Sequence, residues 1–390
     1  MKKNSPHSRL STFVLAAVAA AALAGCGGGS SDAVAPTAAA SNQLYSETNA
    51  TSNTIVRMAR STADGSLTVT DSTSTGGVGT NGLTVTGTAA AANSLASQFA
   101  VTTSSDGKTL FAVNAGDDSI SSFSIDSTGK LTLLKKNSSA IGSFPNSLAY
   151  SKGYLYAAYL GTSQVIAYKV GSDGSLTAIN TKPLAAGGAF VPTQVKASPD
   201  GAFLLVGSKS SAIISYPISA DGSLGAAVRN ATTIAVPFDG VFVGNRIYVA
   251  ADVATASLAS YTLNADGTLT PISSALTNGQ TASCWLSITP NGKWAYVGNG
   301  SGSISLYSVS ATGALALVNA TAANEGIAVA GDSWISADGK YLYSTYLKDG
   351  SVVSYSINDA TGALTKVGTK VQVTPANGTA SSSMQGLVGL

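Results

Sequence analysis

The feature that most constrains this chain is a turn that returns at a nearly fixed interval. It reads Asp64-Gly65-Ser66-Leu67, Thr128-Gly129-Lys130-Leu131, Asp173-Gly174-Ser175-Leu176 and Asp221-Gly222-Ser223-Leu224. It continues as Asp266-Gly267-Thr268-Leu269, Thr312-Gly313-Ala314-Leu315 and Thr361-Gly362-Ala363-Leu364. After a first interval of 64, the glycines follow one another at 45, 48, 45, 46 and 49 residues. A period of about 46 is a propeller-blade length.

Before each turn runs a strand of period two with one large side chain: Met58, Phe123, Tyr168, Tyr216, Tyr261, Tyr307 and Tyr355. An earlier apolar pair, such as Leu44-Tyr45, Leu155-Tyr156 or Leu342-Tyr343, marks another strand of the same repeat. Asp-Gly and similar turns join neighbouring antiparallel strands. Each repeat therefore supplies four short strands, none of which buries its faces alone. Radial stacking solves this and leaves only short edges. The expected fold is all-β: a seven-bladed β-propeller of four-stranded antiparallel blades. The first repeat opens at Leu44 without an innermost strand, and Met384 to Leu390 form a strand with no blade to follow. Pairing the two termini closes the ring. The long first interval predicts an insertion of about eighteen residues in the polar run near Asp71 to Ser94.

Residues 1–25 read as an address. Lys2, Lys3 and Arg9 precede an apolar run from Leu10 to Leu23 that is too short to span a bilayer, which takes about 20 apolar residues. The end of this run, Leu23-Ala24-Gly25-Cys26, resembles the bacterial lipoprotein signal, in which cleavage leaves the cysteine as the lipid-bearing N-terminus. Gly27, rather than Asp, is similar to the outer-membrane sorting case. Residues 26–42 would then be a flexible tether with a reach of roughly 20 Å, and residues 43–390 the propeller. The expected location is the outer membrane, periplasmic or surface-exposed, with the membrane as a partner through lipid on Cys26.

Composition narrows the chemistry. Only 10% of residues are charged, against about 25% in ordinary domains. The balance of 21 basic to 19 acidic residues excludes a strongly basic nucleic-acid binder. The single histidine, His7, leaves with the leader. With Cys26 converted to the anchor, Cys284 has no disulfide partner.

The blade text resembles the lactonase-type seven-bladed propeller family, whose bacterial members include 6-phosphogluconolactonase and whose fungal members include carboxymuconate cyclase. The resemblance rests on Ser198-Pro199-Asp200-Gly201, Thr289-Pro290-Asn291-Gly292-Lys293 and Ser336-Ala337-Asp338-Gly339-Lys340-Tyr341-Leu342-Tyr343. It implies a site at the channel mouth, where innermost strands begin and family enzymes often carry a Pro-Arg-His-like run. The histidine-equivalent positions here are Ser147, Gln194, Asp239, Trp285 and Asp332. The arginine-equivalent ones include Asn146, Thr193, Phe238, Cys284 and Gly331.

Opening a lactone needs a base for water, a stabiliser for the oxyanion and an acid for the departing alkoxide. Most aspartates sit in Asp-Gly turns, where the side chain bonds local backbone. Asp239 and Asp332 occupy one position two repeats apart, with Trp285 between them. They are the candidate catalytic pair. Gln194, Trp285 and Lys196, two residues beyond Gln194 on the same face, are candidate ligand-binding groups. The competing structural reading has the two aspartates capping strand ends by accepting backbone N–H groups of the next blade. Asp239, Asp332 and Asn299 lack metal-ligand spacing, so neither metal nor cofactor is expected. Cys284, with no histidine as base, is expected to be a buried inert thiol.

Two functions follow. One is a monomeric, non-catalytic binding module at the cell envelope, presenting its rim to a carbohydrate-like ligand or an envelope protein. The other is a lactonase-like hydrolase of a small sugar-derived lactone, with Asp239 or Asp332 as base. The scarcity of catalytic residue types favours the first.

Overall fold

The computed structural model describes Met1 and residues 40–184, 190–374 and 383–390. The leader, the tether and Cys26 lie outside the described residues. Seven four-stranded antiparallel sheets form the blades, and among the described residues there is no helix. Blade 1 combines residues 385–389 with 43–74; blades 2 to 7 span 101–138, 145–183, 192–231, 237–277, 283–324 and 330–372.

The recurring turn does two jobs. All seven marker glycines have φ between 70° and 86°, a region that glycine enters without steric cost. The carbonyl of each is then taken by a hydroxyl of the preceding blade. Tyr343, Tyr45, Tyr156 and Tyr296 donate to Gly65, Gly129, Gly222 and Gly362 from second strands. Ser122, Ser215 and Ser260 donate to Gly174, Gly267 and Gly313 from third strands. The periodic turn therefore forms a complete ring of latches between blades. The large third-strand side chains, Met58 to Tyr355, are at most 7% exposed and fill the blade interfaces.

Closure follows the expected route. Strand Gln385–Gly389 is innermost in blade 1 and pairs with Gln43–Glu47, with Leu44 opposite Gly389 and Tyr45 opposite Val388. The backbone N–H groups of Asn42 and Leu390 donate to Leu390 and Gln43 carbonyls at 2.8 and 2.9 Å. Ser46 adds a hydroxyl bond to the Gly386 carbonyl.

The insertion begins inside its expected range and runs past its end. It starts after strand Leu67–Ser74 and continues to residue 100, whereas the connections at 139–144, 232–236, 278–282 and 325–329 are short. Residues 95–100 do not join a ladder, and only Val101–Thr103 pairs as the innermost strand of blade 2. Side chains just before that strand are used elsewhere, as described next.

Candidate functional site

The innermost strands begin with Pro145, Pro192, Pro237, Ser283 and Ala330 in blades 3 to 7. A register shift next to each start turns the following residues across the channel mouth. Gln194, Asp239, Trp285 and Asp332 occupy this level on successive blades, as the repeat arithmetic expects.

The mouth is not an open rim. Residues 92–99 of the insertion lie across it as a strap. The Ala92 carbonyl accepts the Gln385 amide of blade 1 at 3.1 Å. Ser97 donates its hydroxyl to the Asn146 carbonyl of blade 3 at 2.5 Å. The Gln98 N–H donates to the Thr193 carbonyl of blade 4 at 3.2 Å. The indole N–H of Trp285 in blade 6 donates to the Ser97 carbonyl at 3.4 Å. A segment touching innermost strands on so many sides lies within the ring. Leu95, Ser97 and Gln98 are buried, and Ala92 joins Phe238, Cys284, Trp285, Leu347 and Met384 in one apolar cluster.

Beneath the strap, side chains at the histidine-equivalent level bind neighbouring blades. Ser147 accepts the Val195 N–H at 3.0 Å. Gln194 donates to the Gly240 carbonyl at 2.6 Å and accepts the Tyr248 hydroxyl at 3.0 Å. Asp239 accepts its neighbour Gly240 N–H at 2.6 Å and Leu286 N–H of the next blade at 2.7 Å. Asp332 accepts the Gly386 N–H of blade 1 at 3.2 Å. The two candidate catalytic carboxylates are therefore turned toward different blade interfaces, in the backbone-capping role. Both are about 1% exposed, so the exposed arc expected from the sequence is a buried one.

Burial also sets their acidity. Desolvation raises Asp239 to about 7, opposed by the Leu286 N–H, Lys196 and the Gly240 N–H, and assisted by Asp332. Desolvation likewise raises Asp332 to about 7, opposed by backbone N–H groups of Gly386 and Phe99. Turn aspartates go the other way: hydrogen bonds from Ser61 and Ser66 lower Asp64 to about 2.

Lys196 is partly exposed, with its ammonium 3.9 Å from the centroid of the Phe99 ring at the end of the strap. Desolvation lowers its pKa, and the Asp239 charge partly restores it. A cavity of about 90 Å³ is lined there by Phe99, Thr102, Tyr150 and Lys196. Cys284 is a free buried thiol whose pKa is pushed up by burial. Asn299 spends its amide on Ser303 and Ser305, and among the described residues no three His, Cys, Asp or Glu side chains are placed to hold a metal. Glu325 is tied to Lys366 and accepts the Tyr355 hydroxyl at 2.9 Å, away from the channel. Sequence reasoning missed the strap and Glu47, a fully buried carboxyl raised by desolvation and, to a lesser degree, by the charge of Asp332. The insertion length signalled the strap; nothing in a single glutamate signalled Glu47.

Comparison with known proteins agrees with this architecture. The family model for lactonase, 7-bladed beta-propeller, matches residues 44–158 and 241–379. Trp285 and Asp332 fall inside those stretches, and Gln194, Lys196 and Asp239 fall between them. A 6-phosphogluconolactonase of Erwinia tasmaniensis is 24% identical over 270 residues, covering 66% of this chain and 79% of that one. A solved putative 6-phosphogluconolactonase from Bacteroides fragilis superposes with a TM-score of 0.70 at 19% identity, covering 89% of this chain and 97% of that chain. The Pseudomonas aeruginosa periplasmic gluconolactonase gives 0.67 at 18%, covering 89% and 99%. With its seven blades, its closure and its matched stretches in agreement, the chain belongs to the lactonase seven-bladed β-propeller family.

Proposed function

We propose that this chain is a lactonase-family propeller that works at the cell envelope as a binding or interaction module, held to the outer membrane by lipid on Cys26. The observation that carries the first part is the mouth itself. The 92–99 strap crosses it, and both Asp239 oxygens and one Asp332 oxygen are engaged by backbone N–H groups. A base must reach the proton it abstracts, and neither carboxyl reaches a substrate while the strap is in place. With His7 in the leader, the propeller carries no imidazole to replace them. A small carbohydrate-like molecule or an envelope protein is the partner.

The test is a panel of sugar and aliphatic lactones given to purified wild type and to an Asp239→Asn, Asp332→Asn double variant. No turnover by either is expected. Turnover by wild type that the double variant loses would overturn this reading. Anchoring is tested by fractionation and acyl labelling: Cys26→Ala should release the protein from membranes, and unchanged membrane association would refute the anchor.

A second reading, lactone hydrolysis, is favoured by one observation. Carboxyls held near 7 are in the range of a general base at neutral pH. In that reaction Asp239 or Asp332 takes a proton from water, the water oxygen adds to the lactone carbonyl, and the ring C–O bond breaks. The proton then returns to the alkoxide. The strap must open first.

A further inference from the structure

The two ends of the channel differ. Innermost strands start at the strapped mouth and run to turns at the opposite face, such as the one at 198–201. Along this run burial relaxes. Val101, Leu148, Ala149 and Val195 are buried, whereas Thr102, Tyr150, Lys196 and Ala197 are partly exposed. Below the strap, the channel is therefore reached from the face that carries the Asp-Gly turns.

Lys196 stands in this lower part. It is the only cation on the seven innermost strands, whose other charged residues are Asp239 and Asp332. Its ammonium lies 3.9 Å from the centroid of the Phe99 ring, and among the described residues it has no hydrogen-bond or ion-pair partner. Asp239 does not pair with it, because backbone N–H groups take both carboxylate oxygens. The Phe99 backbone is pinned, with its carbonyl accepting the Leu148 N–H at 2.9 Å. The cavity of about 90 Å³ here combines apolar Phe99, Leu148 and Ala149 with Lys196, Thr102 and Tyr150. At about 30 Å³ per liquid water, it takes roughly three waters or a solute of about five heavy atoms.

We propose that this cavity is a site for a short-chain monocarboxylate of the size of propionate, entered from the turn face, with the carboxylate on Lys196 and the alkyl end against Phe99, Leu148 and Ala149. A pocket with apolar walls and a few placed polar groups suits a ligand of that make-up. Desolvation disfavours the bare ammonium, and Asp239 offsets this only in part. A carboxylate supplies the missing counter-charge through charge-assisted hydrogen bonds, which are roughly twice as strong as neutral ones. Phosphate fits poorly, since it calls for several converging cations and brings a second negative charge toward Asp239. The strap stays closed throughout. The site goes beyond the binding-module reading, because its ligand enters from the other end.

The test is isothermal titration calorimetry of the full chain with sodium formate, acetate, propionate, hexanoate and phosphate, with sodium chloride holding ionic strength constant. Saturable, millimolar binding of propionate is expected. Each methylene added from formate to propionate should tighten binding about fourfold, and hexanoate and phosphate should bind at least ~10-fold more weakly than propionate. Thr102→Val should weaken propionate about fivefold. Lys196→Met should abolish binding while melting no lower than wild type, since it removes a desolvated charge. If that variant fails to fold, Thr102→Val and the chain-length series still decide. Absence of saturable binding, binding unchanged in Lys196→Met, or equal affinity for formate, propionate and phosphate would each overturn the proposal. Lactone turnover at the mouth would overturn the module reading and leave this site untouched.

Discussion

Replacing Asp332 with asparagine isolates the energetic consequence of burying a carboxyl under the strap. In the fold its pKa is about 7, raised from 3.8 mainly by desolvation. Between those values the folded protein holds a proton that the unfolded chain has released. Stability therefore falls as pH rises through the interval, and the full penalty is present above about 7. Roughly three units at 1.36 kcal/mol each give a ceiling of about 4 kcal/mol. Asparagine cannot ionise. Its carbonyl keeps the bond from the Gly386 N–H. Urea and thermal melts of wild type and Asp332→Asn at pH 5 and pH 8 provide the assay. At pH 5, about 1.2 units above the unfolded value, the variant should already be more stable by up to about 1.6 kcal/mol. At pH 8 it should be more stable by about 2–4 kcal/mol, or several degrees in Tm. A residual pH slope from Asp239 should remain. A difference that is the same at both pH values would show that the carboxyl is solvated, and would refute the closed mouth.

Three further outcomes are expected. Removing residues 385–390 deletes the innermost strand of blade 1 and uncovers Leu44 and Tyr45; Tm should drop sharply, and an unchanged melt would refute closure. Tyr296→Phe leaves the buried Gly362 carbonyl without its hydroxyl and should cost about 1–3 kcal/mol by urea denaturation; no loss would mean that the latch carries no energy. Gly302→Ala would place a Cβ 1.9 Å from the Ile327 carbonyl oxygen at a φ of 91°, so it should destabilise by more than the roughly 1 kcal/mol of a backbone effect alone, and a neutral melt would refute that packing.

The parts of the fold legible in the sequence were those fixed by local chemistry and repetition. Asp-Gly turns, the third-strand aromatics and the missing innermost strand each leave a mark that recurs or conspicuously fails to recur. Asp239 and Asp332 were placed at the right level by the same arithmetic. Their orientation was not legible, because the Leu286 and Gly386 N–H groups they meet belong to other blades. The insertion's length was visible and its destination was not. A polar segment such as residues 92–99 carries no periodicity, and its partners are set by a ring that exists only once the blades assemble.

The closing strand also has a consequence in time. The ring's final hydrogen bonds join residue 42 to residue 390, so every blade is synthesised before the circle can shut. Loop-closure entropy grows only slowly with length, by about 0.6 kcal/mol per doubling. The delay therefore burdens the folding route more than the final balance. Until Gln385–Gly389 arrives, strand Gln43–Glu47 presents an unpaired edge that any other extended chain can join. A product shortened by a stalled ribosome or a C-terminal protease would carry that open edge permanently, so the last few residues shield the first strand from pairing with other chains.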